Sequence, residues 1–168
     1  MVVAKIWVMA KKFVGAPKLS DFAIKEEELP PIKDREFLTE AVVWSVDPYN
    51  RAYAGRLPEG SPMIGFQVAK IVESKNESFP VGRHVVAHFG WRTHTISSSD
   101  DPTFRPYLVP DTPAFKHLSA AVGVLGMPGM TAYFGLLEKC QPKPGETVVV
   151  NAAAGAVGSA VGQIAKIK

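Results

Sequence analysis

The chain has 168 residues, 46% apolar and 21% charged, the ordinary balance of a folded globular protein, which excludes a disordered chain and a membrane-spanning one. Nineteen basic and 16 acidic residues leave a net charge of +3, and the basic residues are scattered apart from the adjacent pair Lys11-Lys12, so nucleic acid is not an expected partner. The single cysteine, Cys140, excludes an internal disulfide and any zinc site built from several thiolates, and fits a reducing compartment.

In chain order, the apolar run Val2 to Met9 is interrupted by Lys5 and is too short for a membrane helix. No small-residue cleavage pattern follows it, so cytoplasmic residence is the expectation. Up to about residue 112 the text reads as short strands punctuated by Pro, Gly, Asp and Ser, the grammar of a small barrel or sandwich. The expected strands are Ala4 to Met9, Phe22 to Glu26, Phe37 to Val46, Phe66 to Glu73 and Val85 to Phe89. The third carries the apolar run Val42-Val43-Trp44 and is expected to be buried on both faces. Ser97 to Pro102 is polar and turn-forming, and reads as an exposed loop.

Beyond about Asp111 the period changes. Met130, Phe134 and Leu137 recur at three- and four-residue spacing, which predicts an amphipathic helix ending near Cys140, before Pro142 and Pro144. Thr147-Val148-Val149-Val150-Asn151 is β-branched without polar alternation and is expected to form a parallel strand covered on both faces. A turn of small residues follows, then Val157, Val161, Ile164 and Ala165 at helical spacing. Strand, small-residue turn and helix start are the context of a dinucleotide fingerprint. Gly155 would let the backbone approach a pyrophosphate, Gly158 would let the helix pack against the strand, and the free amides of Ala156 and Val157 would face the phosphates. Ala153 stands where the first glycine of G-x-G-x-x-G belongs, and such a turn can equally be plain packing.

Three segments resemble the medium-chain dehydrogenase and reductase superfamily, and within it the prostaglandin reductase branch. They are Val46-Asp47-Pro48-Tyr49-Asn50-Arg51, Gly126-Met127-Pro128-Gly129-Met130-Thr131-Ala132-Tyr133, and Asn151 to Ser159. Asp21-Phe22, Glu28-Leu29-Pro30-Pro31 and Val72 to Asn76 extend the resemblance along the whole chain. It implies an α/β protein in which a GroES-like β-barrel, residues 1–125, is followed by the start of a doubly wound Rossmann domain, residues 126–168. The implied activity is NADPH-dependent reduction of the carbon-carbon double bond of 15-oxo-prostaglandins, alkenals and other enones. Oxidation of the 12-hydroxyl of leukotriene B4, cytosolic residence and a homodimer of the longer form are implied with it.

By the same resemblance, Tyr49 lies at the substrate cleft, and Met127 and Thr131 lie beside the nicotinamide. Gly155, Ala156, Val157 and Gly158 would hold the pyrophosphate. Arg51 and Arg56 would receive the carboxylate of a fatty-acid-like substrate in a bidentate fork. A barrel-edge aromatic, a helix-capping threonine and surface arginines are the plainer readings of Tyr49, Thr131 and the arginine pair. The resemblance puts the catalytic tyrosine and the ribose-reading residue in the second half of a longer chain.

The zinc enzymes of the superfamily place a histidine and a glutamate after a glycine where this chain has Gly65-Phe66-Gln67, so no metal is expected. Without a Lewis acid, direct ketone reduction is disfavoured. Hydride addition to an enone instead develops an enolate, which a preorganised hydrogen-bond donor stabilises by about 3–4 kcal/mol. Two other readings stay open: a quinone reductase of the same superfamily, and a catalytically inactive GroES-like module that acts by binding a partner.

Overall fold

The computed structural model describes residues 1–168, which form two compact units, Met1–Asp111 and Thr112–Lys168. Thr112 to Leu125, assigned to the first domain on sequence grounds, is grouped with the second unit.

The first unit contains β1 (Val2–Met9), β2 (Phe22–Leu29), β3 (Glu36–Trp44), α1 (Pro48–Ala54), β4 (Gln67–Ser74), β5 (His84–Ala87), β6 (His94–Ser98) and β7 (Tyr107–Leu108). β1 and β2 form an antiparallel pair, with Val2 opposite Leu29 and Met9 opposite Phe22. The other five strands make an antiparallel sheet in the order β6-β3-β4-β5-β7. Single bridges from Ile6 to Arg92 and from Val8 to Pro62 carry β1 across to that part of the chain, and the arrangement is a curled half-barrel. β2 leaves one edge open, and Lys25, Glu26, Glu27 and Glu28 are all exposed along it, which discourages pairing with another chain.

Neighbouring residues of β3 serve two cores. Phe37 stacks on Phe79 with ring centroids 4.5 Å apart and packs among Ile71, Val85 and Phe89. Leu38 points the other way, into the cluster of Ile6, Val8, Leu29 and Ile32. Two-sided burial therefore holds from Phe37 to Thr39. It fails beyond, because the β3–β4 register slips between Ala41 and Val43, and Val42 and Trp44 are 48% and 38% exposed. The serine run also differs from its expected loop. Ser97 and Ser98 are paired with Phe37 and Glu36 in β6, Ser97 is buried, and the chain turns only after them.

The second unit holds short 3-10 turns at Pro113–Phe115 and Leu118–Val122, then α2 (Met127–Tyr133), which widens into a π-helical segment at Phe134–Cys140. Gln141 stops it in the left-handed conformation, φ 50°. α3 (Ala156–Ile167) packs against α2. Gly129 permits a close approach at the start of α2: a Cβ there would overlap the Val124 carbonyl.

The expected parallel strand is corrected. Thr147 to Val150 belongs to no sheet, and Val149 is 88% exposed. A parallel strand draws its hydrogen bonds from strands beside it, and these residues supply none, so a doubly wound sheet is not formed within residues 112–168.

Candidate functional site

In the first unit the site is built on α1. Asp47 is its extended N-cap and Pro48 opens it, a pairing that starts helices because proline lacks the amide that would be orphaned there. At the other end the Lys12 ammonium donates to the carbonyls of Gly55, at 2.8 Å, and Leu57. A cation closing the last carbonyls also suits the helix dipole.

Tyr49 and Tyr53, one turn apart, meet edge to face at 6.1 Å, and the Arg56 guanidinium lies 5.1 Å over the Tyr53 ring. Tyr49, Tyr53 and Arg56 thus share one side of α1. Arg51 sits two residues from each tyrosine, which puts it around the opposite side of the helix. Both arginines are exposed and neither is paired with a carboxylate. The structure therefore links Arg56 to Tyr49 through Tyr53 and leaves Arg51 apart. Tyr53 is the residue the sequence reading missed, although its spacing from Tyr49 after Asp47-Pro48 was a usable signal.

The Tyr49 hydroxyl is buried and makes no hydrogen bond. Burial lifts the phenol above the usual tyrosine value of 10.0; the Phe66 backbone opposes this from close by, short of hydrogen-bond geometry, the Asp47 carboxylate adds to the rise, and the nearby Asn50 side chain opposes it more weakly. Burial lifts Tyr107 likewise.

His84, at the start of β5, and His88, just past its end, are both lowered below the usual imidazole value of 6.5. Burial acts first on each, helped at His84 by Lys70 and Arg83 and at His88 by Arg105. The His88 ring lies against Phe66 with centroids 3.7 Å apart. No three His, Cys, Asp or Glu side chains converge as a metal site would require.

These shifts contribute to the pH dependence of stability. Below 6.5 the unfolded histidines take up protons that the folded ones resist, and above 10.0 the unfolded tyrosines lose protons that the folded ones keep, so stability falls on both sides. Urea midpoints should be flat between these limits and decline outside them. The acid decline should shrink in the double variant His84→Gln/His88→Gln; an unchanged profile would show that neither ring contributes.

In the second unit, Met127 is the first residue of α2, and the Thr131 hydroxyl donates to the Met127 carbonyl at 2.8 Å. Thr131 is therefore not a helix cap, because the N-cap is Gly126 and the hydroxyl bonds back within the helix. It remains exposed, with oxygen lone pairs free to accept.

The turn before α3 is tightly closed. The Gly155 amide donates to the Ala152 carbonyl at 2.9 Å, Ala152 itself is left-handed with φ 48°, and no side chain caps the helix at Gly155. The first-turn amides of Ala156, Val157 and Gly158 thus point out of the helix end without a protein acceptor. A Cβ on Gly158 would overlap the Ala152 carbonyl oxygen and stand 2.8 Å from the Ala153 Cα. Only glycine lets helix and turn approach this closely, which is the geometry a dinucleotide pyrophosphate needs, so the residues present fit that group.

Residues 5–104 match the family described as the N-terminal domain of oxidoreductase, and the chain belongs to that family, with the GroES-like fold. Among curated proteins it is homologous along its entire length to prostaglandin reductase 1. The Bos taurus protein is 55% identical over 168 residues, covering 100% of this chain and 50% of that one. NADPH-dependent curcumin reductase of Escherichia coli (strain K12) is 40% identical, over 96% of this chain and 47% of that one. The crystal structure of CurA in complex with NADPH from Vibrio vulnificus matches 98% of this chain and 49% of its own, with TM-score 0.87 and 38% identity. The chain spans about half the length of the curated relatives it matches.

Proposed function

We propose that this chain is the substrate-side half, with the beginning of the cofactor-side half, of an NADPH-dependent reductase of enone and alkenal double bonds, 15-oxo-prostaglandins included. The observation that carries this reading is the cradle at Gly158, where only glycine fits and three helix amides lie open, in a chain 55% identical to prostaglandin reductase 1.

In this reading the amides of Ala156, Val157 and Gly158 hold the pyrophosphate, with Gly155 giving it room. Thr131 and the Met127 backbone border the nicotinamide. Bound NADPH supplies the hydride. Tyr49 lines the enone cleft as a neutral phenol, and Arg56, steadied on Tyr53, meets the carboxylate of a fatty-acid-like substrate. Arg51, on the other side of α1, is a second anion contact at most. Cytoplasmic residence and a homodimer of the longer form belong to the same reading; no helix here is long and apolar enough to cross a membrane.

The test is a chimera in which residues 1–168 continue into the second half of the Bos taurus relative. It should consume NADPH only when an enone is supplied, and a chimera that folds but leaves NADPH untouched would refute the reading. Reduction of quinones in preference to enones would favour the quinone reductase alternative, and a folded but inert chimera the partner-binding one. The reading is also metal-independent: elemental analysis of protein purified without chelator should find no stoichiometric zinc, and one zinc per chain would contradict it.

A further inference from the structure

Beneath α1 four segments meet at one point. Asn50, only 3% exposed, accepts a hydrogen bond from the Asp47 amide at 2.5 Å and donates from its own amide to the Ile64 carbonyl at 2.6 Å. Ser45 donates to the Asp47 carboxylate, and the Trp91 indole donates to the Ser45 carbonyl at 3.2 Å. Gly65 sits in the middle: a Cβ there would stand 3.0 Å from the Trp91 indole nitrogen, 3.2 Å from the Asn50 amide nitrogen and 3.2 Å from the Ser45 carbonyl. The Asp47 bond lies within the helix start, whereas the Ile64 bond spans 14 residues and is the side-chain link from α1 to the segment leading into β4.

We propose that Asn50 is a positioning residue for the substrate cleft: through Ile64 it fixes the first turn of α1, and so the direction in which the Tyr49–Tyr53 pair faces. The role of the pair as cleft wall rests on the function proposed above; the cross-link does not. Asn50 itself is almost wholly buried, so losing its donor removes the protein partner of the Ile64 carbonyl and leaves the helix start free to turn. A displacement of about 1 Å in a group that orients substrate costs on the order of a hundredfold in rate at worst, so an effect of about tenfold on enone KM is the expected scale.

Asn50→Asp and Asn50→Ala separate the two bonds. Asp keeps the acceptor for the Asp47 amide and loses the donor to Ile64, whereas Ala loses both. In the 168-residue protein with carbon-13-labelled tyrosine, both variants should shift and broaden the Tyr49 and Tyr53 ring signals. Tyr107, on β7, should not move, and the melting transition should stay cooperative. Gly65→Ala, which presses on the same amide from the other side, should reproduce the pattern if Asn50→Ala fails to fold. In the chimera, Asn50→Asp should raise the enone KM about tenfold while the NADPH KM stays within about threefold. An Asn50→Asp protein with parent tyrosine signals and parent enone KM would overturn the proposal, because Asn50 would then be a helix cap only. If the parent chimera itself is inactive, the functional reading fails and the tyrosine signals still decide the role of Asn50.

Discussion

Gly158→Val should weaken NADPH binding by well over tenfold in the chimera. The atoms that a side chain at 158 would meet are backbone, the Ala152 carbonyl carbon at 2.9 Å and the Ala153 Cα at 2.8 Å, and backbone in a closed turn cannot swing aside as a long side chain would. Ala152 is already left-handed, so the turn has little freedom to absorb the push. The helix end must move outward instead, and the amides of Ala156, Val157 and Gly158 cease to converge. Losing one or two charge-assisted hydrogen bonds, at about 1.5–3 kcal/mol each, corresponds to tenfold or more in affinity. Fluorescence titration with NADPH measures this directly. Thermal melting beside it separates lost binding from lost folding, because overpacking alone costs about 1–3 kcal/mol. A folded variant with parent affinity would show that this turn does not hold the pyrophosphate.

The largest expected effect on stability lies at Phe37→Ala. The ring is fully buried, lies nearly parallel to Phe79 with 6° between their planes, and packs among residues of β4 and β5. Removing it gives up the transfer energy of the ring and leaves a cavity, together about 3–5 kcal/mol. Domains of this size hold about 5–15 kcal/mol in all, so the loss is a large share. Urea unfolding of the 168-residue protein should show a much lower midpoint for the first unit. Val149→Ala, at a position 88% exposed, should change stability by no more than about 0.5 kcal/mol. A Phe37→Ala midpoint close to that of the parent would mean that the Phe37–Phe79 stack is not the centre of the core.

The first unit was largely legible because its strands bury side chains that sequence patterns register. β1 to β5 fall within a few residues of their expected positions. β6 and β7 were missed for physical reasons: His94 to Ser98 has Ile96 as its one large apolar side chain, and Tyr107-Leu108 is too short to show a period; they are strands because β3 and β5 offer them backbone partners. α1 was missed because a helix of seven residues shows barely two turns of periodicity, and its capping signal at Asp47-Pro48 stood alone. The opposite failure came at Thr147 to Asn151, where strong β propensity found no neighbour to pair with.

At the site, the motifs identified residue types but not faces. The glycine turn reads from sequence either as a cofactor cradle or as plain packing, and the overlap at Gly158 is the close approach that both readings require. Nothing in the order Tyr49-Asn50-Arg51 says that Tyr49 and Arg56 share a side of α1 while Arg51 does not, because helix phase is visible only once the helix is known. The inward role of Asn50 was equally hidden, since an asparagine in a polar stretch reads as surface until its partner at Ile64 is brought beneath it.

The most direct measurement is the fate of deuterium from NADPH labelled at the transferring position, read by proton and deuterium NMR of the product formed by the chimera from a 15-oxo-prostaglandin or a simple enone. The account predicts one deuterium on the former β-carbon and an intact carbonyl. Deuterium on the carbonyl carbon, with the double bond retained, would contradict it.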